Sequence, residues 1–502
     1  MTVSFDIDDV LASGGDERII LDANGLNRYH YGVTPRPLDL ALSSTTASTI
    51  SAPAYEHVRG YFDRLVSATK TQDMSEIYAD EMQRLGTEIR TLYGWEAEDV
   101  DLVFGASGTD IHLFTALLQA GNSDRPALAI TVEGSETGSG VGMAMKGCHF
   151  MGLTSGGAQV VAGQPVNLGT GIQSVCVPAR TSEGGLRKDS EVEADIRTLV
   201  TAAHSEGRKT LLIVTDVSKT GLICPEWSVV ERLRSQFGPA LEIFVDACQF
   251  RLSRESIRAY IAQGYPVAVT GSKFFAGPAF SGLLICPKSV ARRWRHHRFP
   301  IEIKNYARQA EWPDSWSVSA TLPKTANLGL LLRWEAAMFQ MKAFSNLSSE
   351  RLLTCVRGFS DALDARLKGE PHFQKLATRA IRRPTSQHAD LWDQSPTIFP
   401  LVLCSKDQNR LSVAQTLEIY QNLASGTKVG PAIRLGQAVS FTGMGGFSAL
   451  RLGLSAPLLV EAATRTDGLS HLIGQGMAAL DALVDQIDAL SSQTSKPMPR
   501  RA

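Results

Sequence analysis

A chain of 502 residues is too long for one small core and long enough for two or three domains. Its 50 basic and 51 acidic residues leave a net charge of −1, which gives no bulk electrostatic case for nucleic acid or a membrane surface as partner. Seven cysteines carry neither a CxxC pair nor zinc spacing and read as reduced core thiols of a cytoplasmic protein; the acidic start lacks a signal-peptide stretch, and no apolar run reaches membrane length.

Residues 1–75 read as an N-terminal arm or segment. Within it, Asn27–Ser51 ("NRYHYGVTPRPLDLALSSTTASTIS") is polar, aromatic and proline-bearing: an arm over a site or interface, or a plain connector. Met82, Leu85, Ile89 and Leu92 then recur at helical spacing, and the pattern stops at Gly94. "DLVF" reads as a strand and the next stretch as a turn opening a helix that ends at Gly121. "ALAITV" is a strand, and "GSGVGMAMKG" is helical despite its glycines. The glycine-rich Thr154–Gly171 breaks the rhythm as a hairpin or surface excursion. Ile196, Leu199, Val200 and Ala203 mark a helix before strand "TLLIVTD". Trp227, Val230 and Leu233 mark another before "LEIFVD", and "RESIRAYIAQG" a third before "PVAVTG". Strands alternating with helices predict an α/β large domain over 76–325, with a mostly parallel sheet covered on both faces. Helical patterns over 325–370, short strands near 397–404 and an amphipathic run through Leu472, Met477, Leu480 and Ile487 predict a smaller α+β domain over 326–490. Residues 491–502 read as a disordered tail.

Ligands of doubly wound sheets gather at the carboxyl ends of strands, and four features occupy such ends here. "FGASGTD", Phe104–Asp110, puts small residues and hydroxyls at a helix N-terminus: an anion cradle, phosphate above all, or a plain helix cap. "VDACQ" ends an apolar strand with Asp246, followed by Gln249. Such a carboxylate caps a loop or holds a cationic ring nitrogen. "TDVSKTG", Thr215–Gly221, lines a pocket or forms a turn. Lys273, in "VTGSKFFAGPAFSGLLIC", closes a buried strand, where an amine is costly unless used. In an apolar pocket near other cations its pKa falls, and it becomes a nucleophile able to form a Schiff base.

In order and spacing, "SGTD", "DACQ" and "GSKFFAGPAFSGLL" resemble the fold-type-I pyridoxal-phosphate (PLP) enzymes, specifically the class V aminotransferase and cysteine-desulfurase group. The resemblance covers residues 80–290 well and the C-terminal part loosely. It implies that Lys273 carries the cofactor as a Schiff base and, once substrate displaces it, serves as general base. It implies that Ser107, Gly108, Thr109 and Ser272 hold the phosphate. Asp246 would keep the pyridinium nitrogen protonated, and Gln249 and Ser218 would contact the phenolic oxygen. Arg451, in "SALRLGLSA", is similar to the group's late arginine for the substrate α-carboxylate; read alone it is as well an exposed strand arginine. The implied activity is an aminotransferase-type reaction on a small-molecule amino acid through an external aldimine. The alternatives are a PLP-dependent lyase or, from another class, a non-catalytic binding protein. The group also implies a homodimer.

The sequence departs from that group in two places. After strand "ALAITV" no aromatic or His offers to stack on the cofactor ring; Glu133, Glu136 and Thr137 stand there instead. Ala424–Gly446, where a desulfurase places its nucleophilic cysteine, has none, which argues against persulfide chemistry. The basic run Ala291–Phe299 is either a solvated helix face or a border of the site.

Overall fold

Two sheets organise the chain in a computed structural model that describes residues 6–121, 125–166, 171–384, 390–425, 432–441 and 446–494. The short strand β1 (Leu40–Leu42) comes from the N-terminal segment. Seven strands then form the large sheet: β2 (Val100–Gly105), β3 (Ala127–Val132), β4 (Ile172–Val177), β5 (Thr210–Thr215), β6 (Leu241–Asp246), β7 (Val267–Thr270) and β8 (Gly282–Pro287). Their order is β2-β8-β7-β6-β5-β3-β4. Only β8 runs against its neighbours β2 and β7; the other pairings are parallel. The carboxyl ends of β2, β3, β5, β6 and β7 therefore share one edge of the sheet.

The six inner and flanking strands other than β4 are buried at nearly every position, which is why they read as unbroken apolar runs. Edge strand β4 buries only its ends, Ile172 and Val177, and leaves Gln173, Val175 and Cys176 outside, so no apolar run announced it. The helix Met74–Tyr93 ends where Gly94 takes φ 65°, a left-handed C-cap. The "GSGVGMAMKG" stretch keeps only one helical turn, Val141–Ala144, shorter than its pattern predicts. Of the excursion expected over Thr154–Gly171, residues 154–166 lie in a loop closed by bridges Cys148–Pro165 and Leu153–Gln159, and 167–170 lie outside the described residues.

The second sheet contains β9 (Phe373–Lys375), β10 (Ile398–Leu403), β11 (Ile433–Phe441) and β12 (Phe447–Gly453), in the order β1-β11-β12-β10-β9. The N-terminal β1 pairs parallel with β11, Leu40 opposite Ile433. Helix Val413–Ser425 packs on β11 and β12, Phe359 of helix Ser349–Leu367 meets Phe399 of β10, and helix Gly468–Thr494 packs against Ser349–Leu367 and touches β1. That last helix reaches Thr494, into the region expected as a tail; residues 495–502 lie outside the described residues.

Two buried arginines tie the segments together. Arg333 donates to the carbonyls of Leu11, Ser13 and Phe280, pinning the N-terminus to the loop after Lys273. Arg383 grips Asp216 with Nε and NH2 at 2.8 and 2.6 Å, fixing the β5 loop from residues far along the chain. Removing one partner of such a buried pair costs about 3–5 kcal/mol. No helix among the described residues is long and apolar enough to cross a membrane.

Candidate active site

At the shared strand edge lies a cavity of about 200 Å³. Every residue singled out from sequence faces it: Ser107, Gly108, Thr109, Ser218, Asp246, Gln249, Ser272, Lys273 and Arg451. The basic run after Ala291 does not; Arg293 there pairs with Glu242 on the surface.

Ser107 caps the helix Gly108–Ala120, its hydroxyl accepting from the Asp110 N–H at 3.2 Å. That helix end presents N–H groups and a positive dipole to the cavity. Gly108 is required by crowding: a Cβ there would lie 2.7 Å from the Cys248 sulfur and 3.1 Å from the Thr270 methyl. Above the turn stands a cation that the sequence did not single out, Arg18. Asp16 holds it with two bonds, 2.8 and 2.6 Å, and it reaches Thr109 and Ser107 at 3.3 and 3.4 Å. Its guanidinium lies 4.6 Å over the Phe280 ring. An arginine held against the positive end of a helix is unfavourable unless an anion sits between them. The cradle therefore suits phosphate better than a plain cap.

Asp246, at the end of β6, accepts from the Cys248 N–H and faces His112 Nε2 at 3.2 Å. His112 is a second residue that sequence reasoning missed. Its other nitrogen, Nδ1, lies 2.7 Å from the Gly108 carbonyl, an acceptor. Nδ1 thus donates to a carbonyl, and Nε2 lies at ion-pair distance from Asp246 without an aligned hydrogen bond, a setting for the charged imidazolium. Burial opposes this charge, but the Asp246 carboxylate outweighs it and raises the His112 pKa. Burial likewise opposes ionisation of Asp246, yet His112 and Lys273 hold its carboxyl well below the usual range. The result is a fixed carboxylate ready to accept from a cationic ring N–H.

Lys273 follows β7. Its amine has no hydrogen-bond or ion-pair partner among the described residues, while its carbonyl accepts from Ser48. Burial lowers its pKa, and Arg451 and Arg251 add to the effect against Asp246. Ser272 makes no hydrogen bond to the described residues through its hydroxyl.

Two expected contacts take a different form. Ser218 donates its one hydroxyl proton to Glu136 at 2.6 Å, so in this arrangement it has none left for a phenolic oxygen. Gln249 donates to the Thr45 carbonyl at 2.9 Å, and its Oε1 has no partner although buried. Thr45 and Thr46 bring the N-terminal segment into the cavity wall. Gly436 permits that approach, since a Cβ there would meet the Thr45 hydroxyl at 2.1 Å. Of the three residues after β3, Glu136 and Thr137 line the cavity. Glu133 turns away to accept from the Ala179 and Arg180 N–H groups.

Arg451 on β12 is buried, not an exposed strand arginine. It donates to the Gln437 carbonyl, to Thr46 Oγ1 at 2.8 Å, and more weakly to the Lys219 carbonyl at 3.3 Å. All these acceptors are neutral. Among the described residues Cys248 alone of the cysteines lines the cavity, and burial beside Asp246 pushes its thiol well up. A thiol so held is a poor nucleophile, in keeping with the missing desulfurase cysteine.

The residues fit PLP. An amine lies ready for a Schiff base, a charge-fixed carboxylate stands opposite, and an anion turn backed by an arginine completes the set.

No protein-family model and no curated protein matches the chain. Solved structures do. The complex between the cystine C–S lyase C-DES and its reaction product cysteine persulfide aligns at 14% identity and TM-score 0.54, over 88% of this chain and 97% of that one. A mutant of C-DES with glycine covalently linked to the PLP cofactor aligns at 14% and 0.54, over 88% and 96%. The apo cysteine desulfurase from Thermococcus onnurineus NA1 aligns at 12% and 0.53, over 88% and 94%. What the chain shares with these proteins is their fold.

Proposed function

We propose that the chain is a PLP-dependent enzyme acting on an amino-acid substrate, with an aminotransferase-type reaction. The observation that carries this reading is the placement of the unpartnered Lys273 amine in one cavity with the His112–Asp246 pair and the Arg18-backed turn. PLP bound here supplies an electron sink conjugated with the substrate amine. The chain's own residues do the rest. Ser107, Gly108, Thr109, Ser272 and Arg18 hold the phosphate. Asp246, kept ionised by His112, holds a proton on the ring nitrogen and so preserves the sink. Arg451 turns toward the substrate carboxylate and orients the bond to be broken. Lys273 Nζ, with its pKa lowered by burial, is the base placed to take the Cα proton.

A lyase reaction is the second reading, favoured by the structural likeness to the cystine C–S lyase C-DES. The two share every residue role above and differ in product. Incubation of purified protein with single amino acids separates them: a keto acid with pyridoxamine phosphate marks transamination, ammonia with a keto acid marks elimination. Borohydride should fix the cofactor to the peptide containing Lys273. Label on another lysine, or no cofactor uptake, overturns the proposal.

A homodimer completes it. Leu38 and Ile20, on the N-terminal segment that enters the cavity wall, stand 83% and 54% exposed, apolar surface suited to burial against a second copy. Light scattering on the purified protein tests this.

A further inference from the structure

The cavity wall holds cations that the cofactor contacts assigned above do not use. Of its two carboxylates, Asp246 is committed to His112, and Glu136 to Arg180, Ser218 and Thr220. Among its cations Arg18, held by Asp16, is assigned to the phosphate, and Lys273 is the amine to which the cofactor is assigned. Two cations remain, Arg451 and Lys219, and neither has a carboxylate within ion-pair distance among the described residues. The α-carboxylate of a substrate occupies one of them.

Lys219 sits half-buried in the wall. Its backbone is pinned on both sides: the N–H donates to the Glu136 carbonyl at 2.9 Å, and the carbonyl accepts from Arg451. The side chain is much less engaged. Its ammonium has one protein partner, the Ser135 carbonyl at 3.3 Å, and three hydrogens to give. Burial, with Arg451 and Lys273 nearby, pushes its pKa down to about 8, so an anion settling beside it would be welcomed electrostatically.

We propose that Lys219 seats a second anionic group of the substrate, so that the substrate class is an amino acid with a carboxylate side chain. This rests on the PLP reading above and deepens it. Arg451 takes the α-carboxylate and Lys219 the side-chain carboxylate, the Lys219 backbone being held in the wall by its N–H on the Glu136 carbonyl. A neutral side chain would leave the ammonium without a counter-charge.

The test uses PLP-loaded protein titrated with L-aspartate, L-glutamate and their amide counterparts L-asparagine and L-glutamine, with dissociation constants read from the cofactor absorption band. The acids should bind about tenfold or more tightly than the amides, the worth of one charged hydrogen bond. Lys219→Gln should weaken the better acid by about the same factor and leave its amide within about twofold. Lys219→Arg, which keeps the charge, should retain most of the preference. Equal affinity for acids and amides in the native protein overturns the assignment. So does a Lys219→Gln variant that loses acid and amide alike, or one that keeps the preference. Absence of the cofactor band before any amino acid is added overturns the PLP reading itself, and is seen separately.

Discussion

His112 stands between the Gly108 carbonyl and the Asp246 carboxylate, 2.7 Å from one and 3.2 Å from the other. One imidazole thus joins the phosphate turn to the ring-nitrogen carboxylate. Because Gly108 opens the helix that carries His112, the anion cradle and the carboxylate are set by a single element.

His112→Gln should accordingly disturb Asp246 without emptying the site. The amide keeps one hydrogen bond and loses the charge. Asp246 then becomes less acidic, and the acid limb of the pH–rate profile should move to higher pH, with turnover down by about tenfold or more. A folded, cofactor-loaded variant whose profile does not move would reduce His112 to a packing role.

Arg18 gives a different signature because it faces the phosphate end. Arg18→Met should weaken PLP binding about 10- to 100-fold, the worth of a charge-assisted hydrogen bond of roughly 1.5–3 kcal/mol. Binding of pyridoxal, which lacks the phosphate, should change little. Equilibrium dialysis with both compounds decides the matter. An equal loss for both would mean that Arg18 acts through the fold, by holding Asp16 and Phe280.

The strand-end residues were legible in the sequence because buried parallel strands are apolar runs, so a lone Asp246 or Lys273 at a run's end stands out. Arg18 and His112 were not. Arg18 lies 89 residues before Ser107 in an arm of no periodicity, and only the tertiary path of that arm brings it to the turn. His112 sits inside a helix buried at every position after Gly108, where a polar residue gives no face away. One signal was available: a helix so apolar has to answer for each charged or polar side chain it buries. Strand β1 was missed for a similar reason, since three residues pairing with β11 across nearly 400 positions leave no local pattern. At Ser218 the sequence could not show that the hydroxyl proton goes to Glu136, a partner 82 positions away.

Asp110 predicts a pH dependence of stability. It is buried beneath the phosphate turn, and burial, with Asp16 adding, pushes its carboxyl up to about 7 against the Ser107 hydrogen bond and Arg18. Its Oδ1 has no hydrogen-bond partner. A carboxyl whose pKa is higher folded than unfolded binds more protons in the folded state between those two values. Its contribution is therefore present at low pH and lost as pH rises from about 4 toward about 7. In urea unfolding of the cofactor-free protein, the stability of the native chain relative to Asp110→Asn should fall by the order of 1–3 kcal/mol between about pH 4.5 and about pH 7.5. A difference that stays flat, or rises, would show that Asp110 is ionised throughout.

In the proposed function Arg451 is the residue that would hold the α-carboxylate. Its guanidinium has five N–H groups, and the structure commits four of its hydrogen bonds to the Gln437 carbonyl, Thr46 and the Lys219 carbonyl, the last of these long at 3.3 Å. The NH1 edge is thus the one able to turn to a carboxylate, releasing a weak contact for a charged one. Arg451→Lys keeps the charge but loses the planar fork and the bonds that aim it. Substrate affinity and turnover should both fall, each by about tenfold or more, while the absorption band of the resting cofactor stays where it was. Arg451→Ala should lose more. It also leaves the Gln437 carbonyl and Thr46 without their donor, so its thermal stability has to be compared with that of Arg451→Lys before the loss is assigned to binding. Unchanged turnover in Arg451→Lys would move the carboxylate anchor elsewhere, and Lys219, 3.3 Å from it through its carbonyl, would be the cation to substitute next.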